Sequence, residues 1–123
     1  MSTQEVADKL VALCREGKHA EAYELYAKDA VSLEMPGMPN EVTEGLDNIL
    51  KGFQQWVEGI KETHGGTVGD PVVAGNHFAV AMTSDATFKD GTRMNMEEVA
   101  LYQVQDGKIK KVSFHYDTSA MCE

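Results

Sequence analysis

Two Asp-Gly pairs, Asp90-Gly91 and Asp106-Gly107, divide the C-terminal half of the chain into segments that can only be hairpin strands. Asp-Gly accepts the positive φ angles of tight turns, and here each pair is flanked by runs that alternate apolar and polar residues. The spacing predicts strands over Phe78 to Phe88, Thr92 to Val104 and Lys108 to Asp117. An earlier strand over Val68 to Ala74 contains Pro71, which cannot donate to a ladder and so marks an edge or a bulge.

Before Thr67 the pattern is helical. Ser2 and Glu5 form a capping box, and Val6, Leu10, Leu13 and Cys14 recur at helical spacing until Gly17 stops the run. A second, short helix is expected over Ala20, Tyr23, Leu25 and Tyr26, ending near Asp29. The extended run Val31 to Met35 then breaks at Pro36-Gly37-Met38-Pro39-Asn40, which cannot be helical. A third helix is expected from Gly45 or Leu46 to about Glu62, with Leu46, Ile49, Phe53, Trp56, Val57 and Ile60 as its apolar face. His64-Gly65-Gly66 reads as its stop. Helices first and a meander second give an α+β class, with helices on one face of an antiparallel sheet and a single domain over residues 1–123.

Charge and cysteine usage narrow the partners. With 20 acidic and 11 basic residues the net charge is −9, which repels phosphate backbones and anionic lipid. No nucleic-acid or membrane partner is expected. No apolar stretch approaches the roughly 20 residues needed to span a bilayer, and the first residues lack a signal-peptide pattern. Cys14 and Cys122 are too few for a disulfide framework, so the expected location is the cytoplasm, with Cys14 on a helix face and Cys122 in a tail over residues 118–123. His19, His64, His77 and His115 have no metal-pair spacing, and no phosphate loop or nucleophile motif is present. No metal or cofactor is expected.

Three stretches carry a resemblance to a known family. They are Tyr26-Ala27-Lys28-Asp29-Ala30-Val31, Glu44-Gly45-Leu46-Asp47-Asn48-Ile49 with Phe53, and Asp106-Gly107-Lys108-Ile109 with His115-Tyr116-Asp117. In order and spacing the chain resembles the nuclear-transport-factor-2-like superfamily, in particular its SnoaL-like branch. That resemblance implies a cone: three N-terminal helices packed on a strongly curved antiparallel sheet around a cavity, and often a homodimer through the outer sheet face. It does not imply a reaction, because isomerases, cyclases, dehydratases and binding proteins share the architecture.

Strand alternation assigns the faces. Val112, Phe114 and Tyr116 are expected inside, as are Met94, Met96, Glu98, Ala100, Tyr102 and Val104, and Val80, Met82, Ser84 and Phe88. Ala79, Ala81, Val99 and Leu101 then form an apolar outer patch suited to a homodimer. The expected ligand-binding lining is Tyr26, Met35, Trp56, Met82 and Ser84, with Met96, Tyr102, Phe114 and Tyr116, a methionine-rich wall for a small apolar molecule.

Two carboxylates are the catalytic candidates. Glu98 lies on the inner set, where it is either solvated at the open end or a pocket group with a raised pKa. Glu34 is either a loop-edge residue or, by similarity to ketosteroid isomerases, a base able to move a carbon-bound proton. The isomerase oxyanion donors fall on Leu10 and Ala100, and the inward acid of the hydrolase and cyclase branches falls on Phe114, so none of those reactions carries over intact. Asp85 could enter the cavity only through a bulge, and His64 is expected near its mouth. The reading is a SnoaL-like protein with an apolar pocket for a small, carbonyl-bearing ligand and proton-transfer chemistry of isomerase, cyclase or dehydratase type. The alternative is a non-catalytic dimeric binding or interaction module.

Overall fold

The first helix is fixed by the box that opens it. The Ser2 hydroxyl accepts from the Glu5 amide at 3.1 Å, and the Glu5 carboxylate accepts from the Ser2 amide at 3.0 Å. In the computed structural model, which describes residues 1–38 and 40–117, this helix α1 spans Thr3–Arg15. Pro39 and the tail over 118–123, with Cys122, lie outside the described residues. Val6, Ala7, Leu10 and Val11 are buried, while Leu13 and Cys14 pack partly buried against them. At its end Arg15 bonds the Val68 carbonyl at 3.0 Å and Asp70 at 2.8 Å, tying α1 to the sheet.

The second helix is shorter than expected. Helix α2 covers only His19–Tyr23, and Tyr26 already opens strand β1, Tyr26–Leu33. Tertiary pairing overrides the local helical pattern: the Leu25 carbonyl accepts from the Ile109 amide at 2.9 Å, and Tyr26 stands opposite Ile109. Strand β2, Val42–Glu44, follows the proline-rich loop and pairs back onto β1. Helix α3 is Leu46–Glu58, preceded by Gly45 at φ 90°. It stops at Gly59, short of Glu62.

Strand β3, Ile60–Val68, occupies the segment where a helix stop was expected. Gly66 explains the misreading. A Cβ on Gly66 would lie 2.6 Å from the Thr83 carbonyl oxygen, so glycine is there for close strand approach and not for a helix end. Strands β4 (Val72–Ala74), β5 (His77–Phe88), β6 (Arg93–Gln105) and β7 (Lys108–His115) complete the described set. Asp106 and Gly107, at φ 53° and 76°, make the two-residue turn that the Asp-Gly signal foretold.

The sheet runs β2-β1-β7-β6-β5-β3, with β4 also on β5, and its ends do not meet. Register shifts in the β1–β7, β3–β5 and β6–β7 pairings add twist and curl. Two details of the expected architecture need correction. The helices do not all precede the sheet, because α3 enters after β1 and β2. Nor is the sheet purely antiparallel, because β1 pairs parallel to β7. Parallel neighbours need a long crossover, and everything from α3 through β6 serves as that crossover.

Helix α1 packs on β3, β4 and β5, and α3 on β1, β2 and β3. Beneath them Phe78 stacks on Tyr102 with ring centroids 4.6 Å apart, among buried Val6, Leu10, Val80 and Val112. Along β6 the expected inner residues are the better covered ones throughout, from Met94 and Met96 to Ala100 and Tyr102. Gly66→Ala should therefore destabilise the fold by about 1–3 kcal/mol, since the clash is with backbone. Gly65→Ala, where a Cβ meets nothing within 4 Å, should cost less. Urea unfolding of both variants checks this, and equal midpoints would refute the close-approach reading.

Candidate functional site

Parallel pairing brings the ends of β1 and β7 to the same edge of the inner face. Ser32 stands opposite Val112 and Leu33 opposite Ser113. Beyond those pairs, Glu34 leaves β1 and Tyr116 leaves β7. The Tyr116 hydroxyl donates to Glu34 Oε2 at 2.7 Å. The Glu34 amide in turn donates to the Glu41 carbonyl at 2.8 Å, so Glu34 is held where the loop between β1 and β2 begins.

Glu98 belongs to the same group. It sits on β6 opposite Met82, one step along the inner face from the Ala100–Phe114 pair. Burial, with the nearby charge of Glu34 adding to it, pushes its carboxyl up to about 7. Burial also raises the Tyr116 hydroxyl, with the Glu34 hydrogen bond and the charges of Glu34 and Glu98 acting in the same direction.

Tyr23 is the member that sequence reasoning missed. Burial raises its hydroxyl to about 12, and Cys14 and Glu98 contribute, which puts this tyrosine within the field of both. Its ring packs 5.1 Å from Tyr26 and 5.3 Å from Phe53, and the tilted His19 ring lies 5.4 Å from Phe53. Helix α2 has five residues, too few for a periodicity that would assign Tyr23 a face.

The expected lining divides by depth. Tyr26 and Tyr102 are buried, 7% and 4% exposed, and meet edge to face with ring centroids 6.5 Å apart. Met35, Met82, Ser84, Met96 and Phe114 are half-buried on the inner face. Trp56 is 43% exposed and packs edge-on against Phe88 at 5.2 Å, on the rim. Leu10 and Ala100, at the isomerase donor positions, are buried and offer no hydrogen bond.

Asp85 lies outside, where alternation assigned it, and makes a two-pronged ion pair with Arg93 at 2.9 and 3.1 Å, which holds its carboxyl below the usual range. One expectation is corrected: His64 does not close a helix. It lies in a register shift of β3 and bonds Thr87 Oγ1 at 2.7 Å on the same side as Asp85. His115 faces outward as expected and bonds Ser113 Oγ at 3.0 Å. Among the described residues no three His, Cys, Asp or Glu side chains converge as metal ligands, and no helix is long and apolar enough to cross a membrane.

The profile of the SnoaL-like domain family matches residues 1–116. A Mesorhizobium loti structure provisionally described as a SnoaL-like polyketide cyclase, with carbohydrate phosphatase in brackets, is 38% identical. It superposes with a TM-score of 0.89 over 94% of this chain and 100% of that one. An NTF2-like protein of unknown function from Burkholderia pseudomallei (17% identity, TM-score 0.80, 98% and 95% coverage) shares the fold. So does a provisional polyketide cyclase from Pseudomonas putida (16%, 0.76, 98% and 96%). No curated protein matches the chain in sequence.

The raised Glu98 carboxyl has a signed consequence. The folded chain holds this proton more tightly than the unfolded chain, so stability should fall as pH rises from the ordinary 4.5 to about 7 and then level off. Glu98→Gln should lose that slope and be more stable than wild type at pH 8, by about 1–3 kcal/mol. Denaturant unfolding at pH 5 and pH 8 makes the comparison, and parallel pH profiles for the two proteins would contradict it.

Proposed function

This chain belongs to the SnoaL-like domain family, and we propose that it is a cofactor-free proton-transfer enzyme acting on a small, mostly apolar, carbonyl-bearing molecule. The substrate lies between α3 and the inner face of the sheet, in one domain spanning residues 1–123. The observation that carries this reading is the hydrogen-bonded Glu34–Tyr116 pair beside a carboxylic acid that keeps its proton near neutral pH.

The chemistry follows from the different states of the two carboxyl groups. Glu34, as carboxylate, takes a proton from the carbon next to the substrate carbonyl, with Tyr116 on Oε2 leaving Oε1 for the transfer. Glu98, still protonated, donates to the carbonyl oxygen as negative charge develops there. The resulting enol collapses by taking a proton back at a second carbon, which is an isomerisation, or by expelling a β-hydroxyl as water, which is a dehydration. Tyr23 closes the opposite wall.

The bracketed phosphatase description of the Mesorhizobium loti relative is less well supported here. The charges that Glu98 and Tyr116 feel are carboxylates alone, a poor setting for a phosphate. A polyketide, by contrast, offers carbonyls flanked by acidic carbons.

We also propose a homodimer through the outer sheet face. Val72, Ala79, Leu101, Ser113, Leu33 and Val42 form one continuous row of cross-strand partners, apolar except at Ser113. Val72 is 71% exposed, Val42 58%, Val99 43% and Leu101 39%, a patch that a second copy would cover.

Two measurements test these readings. On a panel of cyclic ketones and lactones, Glu34→Gln should lower turnover by roughly 10²–10⁴-fold, and Tyr116→Phe by less. Equal rates in wild type and Glu34→Gln would remove the base. Light scattering at high micromolar concentration should give twice the chain mass, and a monomer would sink the interface.

A further inference from the structure

Two helices of equal length are held very differently. Helices α1 and α3 each have thirteen residues. Helix α1 buries Val6, Ala7, Leu10 and Val11, opens on a capping box and is tied to the sheet through Arg15. Helix α3 buries only Ile49, starts without a side-chain cap, and leaves Leu50, Trp56 and Val57 exposed. Its side-chain hydrogen bonds are local, from Asn48 to the Glu44 carbonyl and from Gln54 to Glu58. Among the described residues no ion pair joins α3 to the rest of the molecule. Its middle is held by apolar contacts, Phe53 against Tyr23 and His19, and Trp56 against Phe88.

The two ends, by contrast, are fixed. The Gly45 amide donates to the Ala30 carbonyl at 2.8 Å, and the Gly59 carbonyl accepts from the Lys89 amide at 2.9 Å. A straight helix pinned at both ends cannot leave the sheet as a rigid rod. Motion away from the inner face must break it between them.

Gly52 is the point where it gives. Glycine in a helix interior is less favourable than alanine, because it has more backbone freedom to lose. No packing demands it here, since a Cβ on Gly52 would meet nothing within 4 Å. This glycine weakens α3 and gains no contact in return. Helix α3 also runs from β2 to β3, the two edges of the open sheet, so it covers the seam where those edges do not meet.

We propose that α3 is the gate of the chamber, opening by a break at Gly52 that parts Phe53 from Tyr23 and Trp56 from Phe88 while Gly45 and Gly59 stay anchored. The proposal rests on the reading that the substrate lies between α3 and the sheet. The chemistry assigned there needs both states. A closed helix keeps water from Glu34 and Glu98 during proton transfer, and an open one passes substrate and product. Sparse burial and the lack of long-range polar ties place α3 at the low-stability end of the molecule, where moving elements are found.

Hydrogen exchange in the full chain reads the opening without a ligand. Amides 53–56, whose helical bonds reach back to or across Gly52, should exchange at least about tenfold faster than amides 7–12 of α1. Gly52→Ala should raise the urea midpoint, yet slow both entry and release of 2-tetralone about fivefold with its Kd unchanged. Stopped-flow fluorescence of Trp56, the one tryptophan in the chain, follows both rates. A merely structural glycine would move the midpoint and leave the rates alone. Protection at 53–56 equal to that of α1, or unchanged rates in Gly52→Ala, would overturn the gate and leave the proton-transfer reading standing. Failure of 2-tetralone to bind the wild-type chain would instead take down the chamber reading, and the gate with it.

Discussion

The parallel pairing of β1 with β7 joins the start of the sheet to the end of the chain, and the site depends on it. Without that pairing Glu34 would stand at the tip of a lone β1–β2 hairpin, and Tyr116 would trail from the last strand. With Leu33 opposite Ser113, Glu34 one residue further on and Tyr116 three residues further on come within hydrogen-bonding distance. The same pairing shortens α2, because Leu25 and Tyr26 are needed as partners for Ile109. One long-range contact thus sets a strand boundary, a helix boundary and a carboxylate's position.

The meander was legible because turn chemistry and alternation agreed there. Asp106-Gly107 marks its hairpin, and the inner and outer residues of β6 follow the period of two. Where local and distant forces disagreed, the sequence misled. Gly65-Gly66 after a helical run reads as a stop, yet the glycine is needed because β3 crosses so close to Thr83. Tyr26 looks helical by spacing and is a strand residue by pairing. The parallel register of β1 left no local trace, since its partner lies at the other end of the chain.

The site was legible in part for the same reason. Alternation alone put Glu98 among apolar neighbours, and burial is the main cause of its raised pKa. Position alone made Glu34 a candidate, but its bond to Tyr116 required the fold. Tyr23 was invisible because one turn of helix has no face that a pattern can reveal. Asp85 was correctly an outer residue by alternation, and Arg93 gives it a partner there. Carboxylates of similar sequence appearance therefore differ in affinity for a proton: the guanidinium beside Asp85 holds it below the usual range, and burial pushes Glu98 up to about 7.

The Asp106-Gly107 turn has an evolutionary consequence. Because it admits two residues and no more, it fixes which side of β6 each position faces relative to β7. An insertion of one residue there would move β7 one position along β6, which β5 holds in place, and exchange the faces of β7, sending Phe114 outward and carrying Ser113 inward. Lineages descended from such a chain can diversify freely by substitution along the alternating inner positions. Gain or loss of single residues at this turn would be purged. New reactions in this scaffold should therefore arise by exchanging side chains within an unchanging frame, with length variation displaced to the loop between β1 and β2.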